Sequence, residues 1–156
     1  MPVLSLEVDH AGRPLLELYV TMGASHAQDR RAAGLPVPGA LAVVALLDTG
    51  ASRSVLALSV VAQLGLVSIG KTDVFTASSG DSPATLEVFA VDLALSGDRP
   101  GPFAVGLEVI GSNTLGGVQV RMLLGRDVLD RCLLAYDGPN RRFALAYDLP
   151  VASPGA

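Results

Sequence analysis

The apolar residues of this chain fall into short runs that either alternate with polar residues or stand unbroken, and both patterns are typical of β-strands. Residues 3–21 alternate on either side of a central turn, which predicts an N-terminal β-hairpin. Residues 41–47 are continuously apolar, as expected of a strand buried on both faces. Between them, residues 22–40 are rich in Gly, Ala, Pro and charge and predict a long inserted loop.

The second half of the chain continues the β pattern. Two β-prone runs, 72–77 and 84–95, flank a cluster of small turn-forming residues and predict a hairpin. Whether this hairpin closes over a ligand or is an ordinary surface hairpin stays open at this point. Further strands are predicted over 103–110 and 118–124, and a last hairpin is predicted from 134–137 and 142–147.

Two segments predict short helices. Residues 54–66 carry apolar side chains near helical spacing, although their β-branched residues weaken the prediction and leave an irregular turn as the alternative. Residues 128–134 follow Asp127, whose side chain can cap a helix. Cys132, the only cysteine, lies in this second segment and is expected to be a small buried thiol.

Composition narrows the class of protein. A length of 156 residues suits one domain, and with half of the residues hydrophobic there is enough apolar surface for a core and a subunit interface. The net charge of -4 and the scattered arginines argue against nucleic acid binding. The chain has neither an apolar run long enough to span a membrane nor a signal-peptide pattern, so we expect a soluble, cytoplasmic protein. His10 and His26 have no Cys or Glu at ligand spacing, so no metal is predicted.

Candidate chemistry lies where two apolar runs end. The run 41–47 leads directly into Asp48-Thr49-Gly50-Ala51-Ser52, and a later run leads into Leu124-Gly125-Arg126-Asp127. Each motif alone is also compatible with an ordinary turn or helix cap. The pair, in this order and at this spacing, resembles the retroviral-type aspartic proteases, the retropepsins, over roughly residues 41–147.

The resemblance implies a fold and an activity. It implies a single retropepsin-like domain over residues 1–156, all-β and closed like a barrel, with one or two short helices. It further implies a homodimeric aspartic endopeptidase in which two Asp48 carboxylates, one from each subunit, activate a water that attacks a peptide bond. Two carboxylates about 3 Å apart share one proton and so act as acid and base together. The chain has no second Asp-Thr-Gly or Asp-Ser-Gly, so a twofold dimer is the simplest source of the second carboxylate.

The family's remaining roles fall on matching residues of this chain, and no cofactor is implied. Thr49, Gly50, Ala51 and Ser52 would support the catalytic loop. Leu124, Gly125, Arg126 and Asp127 would pack under the site, with Gly125 at a position where a side chain would clash with that loop. Ser78, Ser79 and Gly80 would form the tip of a flap that contacts the substrate. Apolar candidates for the substrate pocket, equally plausible as core residues, are Leu46, Val55, Val74 and Phe75.

One residue departs from the viral pattern. Ser52 stands where viral enzymes commonly have an Asp that pairs with the Arg after the second-motif glycine, so Arg126 lacks that partner. Asp127, Asp130 and solvent remain as alternatives for Arg126. The departure is closer to cellular and bacterial members of the family.

Two other functions remain compatible with the sequence. The first is a weak or inactive retropepsin-fold dimer that binds peptides or serves as an assembly module. The second is a monomeric small-ligand β-barrel, in which Asp48 would matter little. An intact Asp48-Thr49-Gly50 argues against the first, because a pure binder does not need a pair of carboxylates. The oligomeric state separates the second from the other functions.

Overall fold

Strands dominate the computed structural model, which describes residues 2–75, 80–95, 101–115, 119–148 and 151–152. The strands are β1 Val3–Glu7, β2 Leu15–Met22, β3 Leu41–Leu47, β4 Val55–Ala57, β5 Gly70–Val74, β6 Ala84–Leu95, β7 Gly101–Ser112, β8 Val120–Leu124, β9 Cys132–Asp137, β10 Arg142–Tyr147 and β11 Val151–Ala152. The helices of the described residues are α1 Ala24–Ala32, α2 Leu58–Leu64 and α3 Arg126–Leu129.

Six strands close into a barrel. Hydrogen bonding runs from β7 through β4, β8, β3 and β2 to β6, and a further pairing of β6 with β7 closes the ring. β5 extends the sheet beyond β6, while β11 adds to β7. The all-β, barrel-like fold predicted from the sequence is therefore confirmed.

The barrel interior holds the core and fixes where the motif strands lie. β3 runs parallel to β8, with Leu47 opposite Leu124, so the two motif strands end side by side at the same edge. Leu18, Leu56 and Met122 are completely buried within this core. Close-packed apolar side chains of this kind resist displacement, which gives the loops after β3 and β8 a rigid base.

The N-terminal hairpin predicted over residues 3–21 is wrong. β1 pairs with β10 in a separate three-stranded sheet, β1-β10-β9, whereas β2 pairs with β3 and β6 inside the barrel. The predicted turn exists, since Asp9 accepts hydrogen bonds from the backbone of Ala11 and Arg13. The chain nevertheless separates there, because Leu4 and Leu6 face Leu145 and Phe143 of β10 and are half-buried against the core.

The segment 22–40 is not all loop. Its first part forms α1, with only Ala27 buried, and the chain then continues without regular structure to β3. The helix shows no apolar period, which explains why the sequence pattern missed it, yet Ala, Gln and Arg are good helix formers. None of the helices in the described residues has the length and apolarity needed to cross a membrane.

Both predicted helices are shorter than expected. Residues 55–57 form β4, which bridges β7 and β8, and only 58–64 are helical. α3 begins at Arg126 and ends at Leu129, so Asp127 lies within its first turn and does not cap it. Cys132 consequently lies in β9 and is half-buried.

The remaining strand predictions agree with the structure. β5 and β6 form the predicted antiparallel hairpin, although residues 76–79 near its tip lie outside the described residues. β9 and β10 form the last hairpin, slightly longer than expected. β7 and β8 cover the strands predicted over 103–110 and 118–124, with 116–118 outside the described residues.

Replacing Leu56 with Ala should strongly destabilise the barrel, because Leu56 is fully buried on β4, the short strand that joins β7 to β8. Truncation of a buried Leu costs about 2–5 kcal/mol through lost burial and the cavity that remains. Urea unfolding of Leu56→Ala should show this loss, whereas Val67→Ala, at a side chain 62% exposed, should change the free energy of unfolding little. Similar losses in both variants would contradict the assignment of β4 to the barrel core.

Candidate active site

Asp48 begins the loop that follows β3. Its backbone N–H donates to the carbonyl of Leu124 at 3.0 Å, which ties the start of the loop to the end of β8. Its side-chain Oδ1 accepts the Gly50 backbone N–H at 2.9 Å, and the residue is half-buried beside the exposed Thr49 and Gly50. Oδ2 accepts no hydrogen bond from the described residues. Asp48 thus has one oxygen oriented by the loop and one free for chemistry.

Gly50 holds the loop close around the carboxylate. A Cβ at this position would lie 3.1 Å from Asp48 Oδ1, tighter than ordinary van der Waals contact. The missing side chain therefore lets the backbone N–H reach the carboxylate without crowding it.

The loop after Asp48 rests directly on the second motif. Arg126 donates its backbone N–H to the carbonyl of Ala51 at 2.8 Å. A Cβ on Gly125 would lie 2.7 Å from the backbone carbon of Arg53 and 2.9 Å from the Ala51 oxygen. This is the close approach that the sequence analysis expects at Gly125, and only glycine permits it without a shift of backbone.

A buried hydrogen-bond network joins the two motifs behind this contact. Asp127 accepts the Ser54 backbone N–H at Oδ2, at 2.8 Å, and the Ser54 hydroxyl at Oδ1, at 2.7 Å. Ser54 Oγ in turn accepts the Gly125 backbone N–H at 3.0 Å. Ser54 is completely buried, so loss of one member would leave polar groups unsatisfied in the interior.

Arg126 does not use the carboxylates that were its candidate partners. Both oxygens of Asp127 are engaged by Ser54, and among the described residues the Arg126 side chain forms no ion pair with Asp127 or Asp130. Of the three alternatives, contact with solvent is the one that fits this exposed side chain. The resemblance to retropepsins also implies that Thr49 forms a hydrogen bond across the dimer axis, and this stays a prediction; within the described residues the Thr49 hydroxyl forms no hydrogen bond.

A cleft of about 430 Å³ opens beside the loop that follows Asp48. Its lining includes Gly50 of that loop and Val74 of the β5–β6 hairpin, whereas Asp48 itself lies outside the lining. Most of the wall is apolar, and it is formed by Gly50, Ala51, Ser52, Arg53, Val55, Val74, Phe75, Leu86, Ile110, Ser112, Thr114, Leu115 and Leu123.

Three of the four apolar pocket candidates, Val55, Val74 and Phe75, line this cleft, and Leu46 of β3 does not. Phe75 is 72% exposed, so the apolar wall is open to solvent at this residue. Of the predicted flap tip, Ser78 and Ser79 lie outside the described residues. Gly80 is exposed with φ +62°, and its contact with substrate stays a prediction.

Other reactive groups are poor competitors for the active site. Burial raises the pKa of the Cys132 thiol to about 11, so the thiol is protonated at neutral pH and is a weak nucleophile. Asp137, which directly precedes Gly138, lies at the β9–β10 turn, where the Asn140 side chain lowers its pKa by hydrogen bonding. Within the described part of the chain, no three His, Cys, Asp or Glu residues group as metal ligands.

Sequence reasoning missed two residues that belong to this site. Ser54 was placed at the start of a helix, yet it is the buried centre of the network between the motifs. Arg53 was given no role, yet it lines the cleft. The β-prone residues Val55 and Leu56 could have indicated that the backbone is extended after the loop, and therefore that Ser54 precedes a strand and not a helix.

A closed barrel whose Asp-Thr-Gly loop packs on a glycine of the neighbouring motif defines a retropepsin-like aspartic protease fold. The chain belongs to the aspartyl protease family, whose model matches residues 35–128, more than half of its length. The structure is similar to the crystal structure of a retropepsin-like aspartic protease from Rickettsia conorii, with a TM-score of 0.55 and 14% identity over 94% of this chain and 91% of that chain. At this identity the likeness shows the fold. No curated protein matches the chain.

Gly125→Ala should destabilise the protein by about 1–3 kcal/mol, because the added methyl group would meet the Arg53 backbone at 2.7 Å. Gly39→Ala is the matched control, since a Cβ there meets nothing within 4 Å. Urea unfolding at neutral pH measures both changes. Equal stability of the two variants would show that the loop can move away from β8 at little cost.

Proposed function

We propose that the protein is an aspartic endopeptidase that acts as a homodimer, with one Asp48 from each subunit. The observation that supports this most directly is the setting of Asp48. Its carboxylate is oriented by the Gly50 N–H, its loop is fixed on Gly125, and the loop borders an apolar cleft. Membership of the aspartyl protease family makes this reaction class the natural use of such a site.

The dimer follows from the need for a second carboxylate. None of the hydrogen bonds of the described residues joins Asp48 to another carboxylate, and the chain has a single Asp-Thr-Gly. A twofold axis passing beside the exposed Thr49 would bring the two copies of Asp48 together, because an isologous interface apposes identical residues.

In this dimer the two Asp48 carboxyl groups share one proton. The ionised carboxylate accepts a proton from the attacking water, whose oxygen bonds to the carbonyl carbon of the substrate. The protonated carboxyl group donates its proton to the carbonyl oxygen, giving a neutral tetrahedral intermediate. The carboxyl group that took the proton from water then passes it to the amide nitrogen, while the other, now ionised, accepts a proton from a hydroxyl group of the intermediate. The C–N bond breaks, an acid and an amine are released, and the pair again holds one proton. The step requires no metal or organic cofactor.

The cleft would bind the peptide that the carboxylates cleave. Its apolar wall, which includes Val55, Val74 and Ile110, suits side chains that leave water on binding. An extended peptide would lie between the catalytic loop and the β5–β6 hairpin, whose antiparallel strands border the cleft on the side of Val74 and Leu86.

Asp48→Asn should reduce cleavage of a diverse peptide mixture by at least about 10²–10⁴-fold, because the variant cannot exchange a proton with water. Asn retains an oxygen to accept the Gly50 N–H, so the loop should keep its shape. Mass spectrometry of the products between about pH 4 and pH 7 measures the effect, since the pair must hold one proton to act. Asp137→Asn, at the distant β9–β10 turn, is the control and should cleave like the wild type.

Failure of the wild type to cleave, together with clear binding of peptides, would favour the peptide-binding or assembly module over a protease. Equal cleavage by the wild type and Asp48→Asn would assign the activity to another site or to a contaminating protease. Loss of activity in Asp137→Asn as well would indicate a general effect of removing surface carboxylates.

Mixing the wild type with Asp48→Asn tests the shared site. If every site needs two Asp48 residues, mixed dimers are inactive, and an equal mixture should retain about one quarter of the wild-type activity after subunit exchange. Independent monomers would retain about one half. The assay is run at fixed total protein, with light scattering to follow the dimer, and a half-maximal result would contradict a site built from two subunits.

A further inference from the structure

One of the described side chains that line the cleft carries a charge. Arg53 is the sole ionisable residue among the described residues that line it. Its neighbours on the wall are mainly apolar, and apolar walls weaken the screening of a charge by water. A charge in this position acts on whatever ligand fills the cleft.

Arg53 is oriented by contacts with Glu108 of β7. Nη2 lies 3.5 Å from the carbonyl oxygen of Glu108 and 3.8 Å from Glu108 Oε2, and the Arg53 side chain is only 32% exposed. Both contacts are long, and the Glu108 side chain is 62% exposed, so this ion pair is weak. The contacts orient Arg53 without cancelling its charge.

Most of the hydrogen-bonding capacity of Arg53 is left for a ligand. A guanidinium group has five N–H donors, and the described residues contact it through Nη2 alone. A carboxylate is bound bidentately by one N–H of Nη2 together with the N–H of Nε or of Nη1, and the long contacts of Nη2 with Glu108 leave one such planar fork for a ligand.

We infer that Arg53 determines specificity by selecting peptides that carry an Asp or Glu side chain near the cleaved bond. This inference rests on the proposed function, and it names the substrate class of that site. Arg53 lies five positions along the chain from Asp48, and the wall runs from Gly50 at the carboxylate to Arg53. In a twofold dimer each subunit contributes one Arg53, so the preference recurs on both sides of the bond.

Matched peptides that differ only by Glu or Gln at one position test the inference. Each position on both sides of the bond is varied in turn, and kcat/KM is compared within each pair. We expect the Glu peptide to be preferred by about three- to tenfold at one position on each side, as for an ion pair at a partly exposed site. Arg53→Gln should bring this ratio close to one.

Further variants separate a charge effect from a structural one. Glu108→Gln removes the competing carboxylate and should raise the preference for Glu peptides. The double variant Arg53→Glu with Glu108→Lys should reverse the preference towards Lys peptides, which a merely structural role of Arg53 could not produce. Arg31→Gln, on exposed α1, removes one positive charge elsewhere and should leave the ratio unchanged.

Binding keeps this test separate from the test of catalysis. Fluorescence anisotropy of the same peptide pairs, labelled, with Asp48→Asn measures selection by the cleft without turnover. A Glu preference in binding, without cleavage by the wild type, would overturn the proposed function and leave the role of Arg53 standing. Cleavage with no Glu preference, or a preference that Arg31→Gln abolishes equally, would overturn the role of Arg53 alone. Absence of both cleavage and peptide binding would overturn both.

Discussion

The close packing of Gly125 against the backbone of residues 51–53 is the contact on which the site depends. It brings the loop after β3 and the end of β8 within van der Waals distance. The hydrogen bond from the Arg126 N–H to the Ala51 carbonyl then fixes the position of one segment relative to the other. The pairing of β3 with β8 determines where these two segments meet, and the barrel core keeps both strands in place. The position of Asp48 follows from this packing, and the Gly50 N–H then orients its carboxylate.

The two motif aspartates, Asp48 and Asp127, have identical side chains but different roles, because their hydrogen-bond partners differ. Asp127 gives both oxygens to buried Ser54 and so serves the scaffold, because its hydrogen bonds connect the loop to α3. Asp48 has one oxygen held by Gly50 and the other without a partner among the described residues. Of the two motif aspartates, only Asp48 keeps an oxygen without a hydrogen bond from the described residues, and the proposed dimer is the way in which the fold would obtain a second such carboxylate.

Sequence patterns predicted the strands well where hydrophobic period and turn residues agreed, as in the β5–β6 and β9–β10 hairpins. They also identified Asp48 and Gly125, since both residues occur in short motifs. Partners in the sheet were harder to predict: nothing in the alternation of β1 distinguishes pairing with β2 from pairing with β10, far along the chain. Ser54 was missed for a related reason, because its importance comes from a hydrogen bond to a residue distant in sequence.

The parallel alignment of β3 and β8 also bears on how the molecule forms. Ala45 is opposite Met122 on the neighbouring strand, so about half of the chain must be closed into a loop before these strands can pair. Contacts between residues so distant in sequence are costly in chain entropy and slow to form, unlike the local hairpins of the same fold. The Asp48 loop finds its support only when this pairing is complete. A nascent or partly folded chain therefore lacks an ordered Asp48 loop, so under the proposed function it would be unable to cleave its own exposed segments.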